Sequence, residues 1–406
     1  MQSPMPDPIA CSGVSRRSFL RLAAATSAMA AVPIFTEAHL AMAQRPHFAD
    51  PDKGIHIDAN ENPMGPSQAA REAIAGMIPM GGRYRMNMEE ELAELFAKQE
   101  GLDPEMVIPY AGSSEPLHFT VLAFTGPGKP LVIGDPGYEA PMWAAMVSGA
   151  PVIKVPLADP KGAASHDVKA MLAASATPGV IYICNPNNPT GTVTSRADIE
   201  YAVANAPKDT VVMIDEAYIH LSDVPNCLDM VKAGKNVVVL RTFSKLYGMA
   251  GIRLGFAVAR PDLLKQIDRF GGRNSLPITA MSAGMASLKQ ADLVAERKKH
   301  IGAIREENLA WLRGKGYAVT PSVSNCFMLD VRRPGKEVLA AMAAKDVYIG
   351  RIWPAWPTQV RITVGTPEEM ATFRKTFEEV MASNTAGLVP AELPWRVRET
   401  PFSHLS

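Results

Sequence analysis

Short runs of β-branched and other apolar residues recur through the middle of the chain, at Pro130 to Ile133, Pro151 to Val155, Val180 to Cys184, Thr210 to Ile214 and Asn236 to Leu240. Segments of helical or turn character separate them. Apolar runs of this length in such alternation predict strands covered on both faces, hence a mostly parallel sheet between layers of helices: an α/β fold. Upstream, Met86 to Gln99 has helical spacing, with Leu92, Leu95 and Phe96 on one side and a cluster of glutamates on the other. From about Ala291 the pattern changes. A long charged helix (Ala291 to Leu312), a strand (Cys326 to Val331), a helix (Lys336 to Ala344), a strand (Val360 to Val364) and a closing helix (Met370 to Ala382) predict a smaller α+β lobe. The expected division is residues 44–80 as an arm contributing to the small domain, 81–290 as the large domain, 291–385 as the small C-terminal domain and 386–406 as an irregular tail.

The first 43 residues break from this pattern. Ser15-Arg16-Arg17-Ser18-Phe19-Leu20-Arg21 precedes a mild apolar run, Leu22 to Phe35, and Ala41-Met42-Ala43 supplies small residues before Gln44. That order is expected of a twin-arginine export signal cut after Ala43, and it is set aside from the fold. The run is short and alanine-rich, whereas a stable span takes roughly 20 strongly apolar residues, so no membrane anchor is expected. The alternative for this segment is an amphipathic N-terminal helix.

Composition changes the picture only by exclusion. Across 406 residues, 47% of them apolar, Lys plus Arg equals Asp plus Glu at 41 each, so no overall field favours nucleic acid or an anionic membrane. Outside the leader, Cys184, Cys227 and Cys326 are widely spaced in apolar surroundings, and neither a metal site nor a disulfide framework is expected.

Ligands of parallel sheets gather at the carboxyl ends of the strands, and the chemistry of this chain concentrates there. The run at 237–239 leads into Arg241-Thr242-Phe243-Ser244-Lys245, with Arg253 eight residues beyond the lysine. A lysine amine at a strand end can form a Schiff base with a carbonyl cofactor, and Thr242, Ser244 and Arg253 suit a phosphate on the same cofactor. A surface lysine in a loop is the competing interpretation. Asp215 emerges from an apolar strand, where a carboxylate is costly unless a cation meets it, and a protonated pyridine nitrogen would be that cation. Tyr138 follows the first strand and can lie flat on a ring, and Asn188 sits in the turn after the third. Gly112-Ser113-Ser114 opens a helical run to Phe124, either as a phosphate seat of free N–H groups or as an ordinary serine cap. Asn60 and Glu61, in the turn Asp58-Ala59-Asn60-Glu61-Asn62-Pro63, face a ligand or simply form a turn.

Taken together, Asn188-Pro189-Thr190-Gly191, Asp215-Glu216-Ala217-Tyr218 and Ser244-Lys245 with Arg253 resemble pyridoxal-phosphate enzymes of the aspartate-aminotransferase fold (fold type I). Asn60-Glu61-Asn62-Pro63, Arg83-Tyr84 and Arg361-Ile362-Thr363-Val364-Gly365 are similar to the histidinol-phosphate aminotransferase branch, although Arg85 stands where that branch usually has proline. The similarity runs from about residue 55 to 380. It implies pyridoxal 5′-phosphate as cofactor and an L-amino acid and a 2-oxo acid as substrates. It further implies that Lys245 carries the cofactor and moves the substrate proton, that Asp215 pairs with the ring nitrogen, and that Asn188 and Tyr218 bond the ring oxygen. Tyr138 would stack on the ring, while Gly112, Ser113, Ser114, Thr242, Ser244 and Arg253 would form the phosphate cup. Tyr84 would reach that cup from the neighbouring subunit of a homodimer. Arg361 would clamp the substrate carboxylate, with Asn60 and Asn188 beside it, and Arg351, followed closely by Trp353 and Trp356, would meet the far end of the substrate. A decarboxylase or racemase would use the same lysine, aspartate and asparagine, and a non-catalytic binding protein is the alternative from another class. Export points away from histidinol phosphate itself and toward another amino acid, aromatic or acidic, handled in the periplasm.

Overall fold

The chain is described by a computed structural model in which residues 34–45, 53–271 and 275–383 are placed. The paired arginines of the leader, most of its apolar run and the tail from 386 lie outside the described residues. Eleven strands occur among the described residues: β1 (Ile55–Ile57), β2 (Val107–Tyr110), β3 (Leu131–Asp135), β4 (Val152–Pro156), β5 (Val180–Cys184), β6 (Val211–Asp215), β7 (Val237–Thr242), β8 (Gly255–Ala259), β9 (Cys326–Asp330), β10 (Val347–Ile349) and β11 (Gln359–Thr363).

Seven of these form the central sheet in the order β2-β8-β7-β6-β5-β3-β4. The five expected apolar runs are β3 to β7, all mutually parallel. Their side chains are buried on both faces in β5, β6 and β7, which is why no polar alternation marks them. β8 is the antiparallel member, paired with β7 on one side and β2 on the other. The apolar run predicts a strand ending at Leu240, and nothing in the residues to Phe256 marks a second strand. In the structure β7 continues to Thr242, and a turn carrying Lys245 returns the chain as β8.

Three features of the topology position the candidate site. Asp135, Cys184, Asp215 and Thr242 all lie at the ends of parallel strands, and neighbouring register pairs Cys184 with Asp215. β1 pairs with β10, so the arm after residue 55 is fastened to the C-terminal part of the chain. β9 and β11 form an antiparallel pair that sets Arg361 opposite Met328. The helices Leu293–Gly314, Gly335–Ala343 and Pro367–Ala382 fall within two or three residues of their expected bounds. No helix among the described residues is long and apolar enough to cross a membrane.

Setting aside the first 43 residues as unconnected with the fold needs correction. Glu37–Gln44 is a helix that runs across the expected cleavage point and packs on the body of the protein. Phe35 stacks on Trp143 with ring centroids 4.4 Å apart, and its backbone N–H donates to His118 Nε2. At the other end, Gln44 bonds both the N–H and the C=O of Ile352, and Arg45 pairs with Asp58 at 2.7 Å.

Candidate active site

A cavity of about 270 Å³ opens at the carboxyl ends of β5, β6 and β7. Ser113, Ser114, Tyr138, Asn188, Asp215, Tyr218, Thr242, Ser244, Lys245 and Arg253 line it, joined by Glu61 from the arm and by Thr36, Glu37 and Ala38. Residues from Thr36 to Arg253 thus meet around one volume.

Asp215 is the last residue of β6, buried in the sheet. Because strand side chains alternate, the next residue, Glu216, turns the opposite way and forms a buried ion pair with Arg241 at 2.7 Å. Asp215 accepts hydrogen bonds from the Tyr182 hydroxyl (2.8 Å) and the Ala217 N–H (3.1 Å). Burial nonetheless lifts its carboxyl to about 6, against the lowering effect of those bonds and of Lys245. A carboxylate so placed gains from a cation in the cavity. Tyr182 escaped the sequence argument, although its place two residues before Cys184 in an otherwise aliphatic strand puts it on the face that Asp215 shares.

Lys245 lies in the turn between the two central strands β7 and β8, and its amine donates to the Asn60 carbonyl at 2.9 Å. Burial pushes this amine below its ordinary value. The Tyr218 ring stands 5.6 Å from the amine, and the Tyr218 hydroxyl accepts from Asn60 Nδ2 at 2.9 Å. Asn60 is therefore a buried connector between the amine and the phenol rather than an exposed turn residue.

The phosphate-cup residues also converge. Arg253 donates to Ser244 Oγ (3.2 Å) and to the Ala111 carbonyl (3.2 Å), and Thr242 Oγ1 donates to Ser244 Oγ (3.0 Å). Ser113 precedes the helix Ser114–Phe124 without a capping side-chain bond. The serine-cap alternative therefore fails, and the first N–H groups of the helix stay free for an anion. Gly112 has φ of +86°, and a Cβ there would run into the Arg253 guanidinium. The residues fit pyridoxal 5′-phosphate: an amine, a ring-sized gap, a buried carboxylate without a cation, and a cup of hydroxyls, free N–H groups and one guanidinium.

Beyond the cup lie two fully buried arginines. Arg361, from β11, donates to Asn188 Oδ1 at 2.9 Å and to the Asp58 carbonyl. Arg351 donates to Glu139, and its guanidinium lies 4.7 Å from the Trp353 ring centroid, with that of Arg361 at 5.6 Å. Trp353 is buried and donates its indole N–H to the Gly137 carbonyl at 2.9 Å. Trp356 is half-buried in the same tight turn. Glu37 completes the group, accepting from Arg361 at 2.7 Å and from Asn188 Nδ2 at 2.9 Å, with Arg351 at 3.5 Å. Burial would raise its carboxyl, but Arg351 and Arg361 hold it at about 2. Neither Glu37 nor Glu139 was anticipated, and a lone glutamate beside an apolar run carries no mark of such a role. Tyr84 does not join the cavity of its own chain: it is 81% exposed. Arg85 beside it has φ of +52°, which a proline ring, fixed near −65°, does not allow.

The model of the family "aminotransferase class I and II" matches residues 52–377. A histidinol-phosphate aminotransferase of Moorella thermoacetica is 32% identical over 349 residues, covering 81% of this chain and 86% of that protein. An aromatic amino acid aminotransferase of Cutibacterium acnes is 32% identical over 322 residues, covering 78% and 90%. Among solved structures, a putative histidinol-phosphate aminotransferase of Erwinia carotovora atroseptica superposes with a TM-score of 0.77 at 31% identity, covering 82% of this chain and 97% of that one. With the sheet, the lysine and the buried carboxylate in place, the chain belongs to the class I and II aminotransferases, and it is a pyridoxal-phosphate-dependent transaminase of the aspartate-aminotransferase fold.

Proposed function

We propose that this transaminase takes an aromatic L-amino acid as amino donor, with a 2-oxo acid as acceptor. The observation that carries this reading is the pairing of Arg351 with Glu139 against the Trp353 ring. Burial raises the Glu139 carboxyl against the lowering effect of Arg351, and the two form a largely desolvated ion pair. With Arg361 engaged by the α-carboxylate, Arg351 has its charge partly answered by Glu139, which weakens its hold on a substrate carboxylate or phosphate at the far end. The buried indole beside it suits a flat, uncharged side chain.

When bound, pyridoxal 5′-phosphate supplies an electron sink for the negative charge that develops at the substrate Cα. The residues of the chain do the rest. Lys245, its amine already depressed by burial, accepts and returns the Cα proton. Asp215 would hold the cationic ring nitrogen, and Asn188 and Tyr218 would bond the ring oxygen. Tyr138, buried in the cavity wall, would cover the ring, and Ser113, Ser114, Thr242, Ser244 and Arg253 would hold the phosphate, with Gly112 giving the backbone its close approach to Arg253. Arg361 and Asn188 orient the substrate carboxylate.

The test is a panel of amino donors assayed at a fixed 2-oxo acid concentration. L-Phenylalanine, L-tyrosine and L-tryptophan should exceed L-aspartate, L-glutamate and histidinol phosphate in kcat/KM by about tenfold or more, the value of roughly 1.4 kcal/mol of discrimination. A preference for histidinol phosphate would overturn the assignment.

We further propose export of the folded protein to the periplasm by the twin-arginine route, and action as a two-fold dimer. Ser15 to Arg21 and Ala41-Met42-Ala43 support the first, and the exposure of Tyr84 supports the second. Replacing Arg16 and Arg17 together by lysine should leave the protein in the cytoplasmic fraction with its leader uncut. Continued export of that double variant would refute the route.

A further inference from the structure

The two groups that would hold a substrate carboxylate, Arg361 and Asn188, are filled by the chain itself. Glu37 offers both carboxylate oxygens, one to Arg361 (2.7 Å) and the other to Asn188 Nδ2 (2.9 Å), with Arg351 at 3.5 Å from the first. Its side chain is 11% exposed, so this is a desolvated contact and not a surface pairing. Meanwhile Lys245, Asp215 and the phosphate cup still border open space. The segment leaves the cofactor its room and takes the substrate's.

The geometry points to residues 34–43 as a tethered competitor: Glu37 occupies the substrate-carboxylate seat and holds the uncut chain in a low-affinity state until the segment is withdrawn or removed. This rests on the assignment of Arg361 as that seat. The fastenings divide in a way that suits removal. On one side of the bond after Ala43 lie the Phe35–Trp143 stack, the Phe35 to His118 bond and Glu37 itself. On the other side, Gln44 is tied to Ile352 and Arg45 to Asp58, so the remaining chain start stays anchored beside the opening. Ala43 is exposed and Met42 is 49% exposed. A tethered ligand works at an effective concentration on the order of millimolar, comparable to ordinary KM values, so even one carboxylate is an effective rival in cis. For a protein that acquires its cofactor before export, the consequence would be a loaded but closed enzyme in the compartment where it is made.

The experiment uses the full-length, cofactor-loaded chain and two variants, Glu37→Gln and Glu37→Ala. Affinity for 3-phenylpropanoate, which has a carboxylate but no amino group and cannot react, is read by calorimetry, and KM and kcat for L-phenylalanine are read separately. If the docked state dominates by about ten to one or more, both variants should bind 3-phenylpropanoate at least about tenfold tighter and show a similar fall in KM, with little change in kcat. Unchanged affinity in both variants would overturn the competitor. Weaker affinity would overturn it as well, making Glu37 a residue that helps bind substrate. The two readings fail separately. Tighter 3-phenylpropanoate binding without turnover of any aromatic amino acid would uphold the competitor and defeat the proposed donor, while turnover with unchanged affinity would do the reverse.

Discussion

At the scale of single residues, Asp215 carries the clearest consequence. Its carboxyl is lifted to about 6 by burial, from an ordinary 3.8. The folded protein therefore binds this proton more tightly than the unfolded chain does. Any stability linked to it is fully present below about pH 3.8 and is lost as pH rises through 6. In the cofactor-free protein, Asp215→Asn should be more stable than the parent at pH 7, by up to roughly 3 kcal/mol, with the difference closing near pH 4. Urea melts at the two pH values check this. In the loaded enzyme the same change removes one side of a charge pair and should lower kcat by about 10²- to 10³-fold. Asp215 was legible in the sequence because an acid at the end of Val211-Val212-Met213-Ile214 is conspicuous. Glu139 and Tyr182 were not, since what matters for each is a partner far off in the chain, Arg351 or Asp215, which no local pattern specifies.

At the scale of elements, the helix Ser114–Phe124 shows what the turn before it must do. Gly112 lets the chain approach the Arg253 guanidinium closely in a left-handed conformation. Gly112→Ala should retain the fold but displace Arg253, weakening cofactor affinity by about tenfold or more, in line with roughly 1–3 kcal/mol of backbone strain. Fluorescence titration of the apoprotein with pyridoxal 5′-phosphate checks it; unaltered affinity would mean that Arg253 does not need this approach. The buried strands β3, β5, β6 and β7 were readable because continuous aliphatic runs are their signature. β2 was not: it is four residues long, contains Pro109, and lies at the sheet edge, where proline is tolerated. β8 was hidden because Gly255-Phe256-Ala257-Val258-Ala259 is rich in small residues and has no period of its own.

On the level of the whole molecule, Tyr84 tests the proposed dimer. It stands 81% exposed and away from its own cavity. If two chains complete each other's sites, mixing a poorly active Tyr84→Phe chain with an inactive Lys245→Ala chain should restore roughly a quarter of the parent activity. Half the dimers are then mixed, with one intact site of two in each. No recovery after verified subunit exchange would mean that each chain holds a complete site. The central sheet and the later helices Leu293–Gly314, Gly335–Ala343 and Pro367–Ala382 were legible in outline, because apolar runs and charged helical spacing mark them. The docking of Glu37 was not, because the residue order that suggests an export leader says nothing of what Glu37 touches. One asparagine joins these scales. Asn60 bonds the Lys245 amine through its carbonyl, the Tyr218 hydroxyl and Thr363 Oγ1 through its side chain, and Thr363 again through its N–H, and it follows a strand paired with the one that leads to Arg351. Drawing the lysine toward an arriving vitamin releases the carbonyl it had been resting on. Any shift of Asn60 that followed would act on the strand pair leading to Arg351, and affinity for one inert carboxylate, compared between the empty and the charged protein, would reveal it.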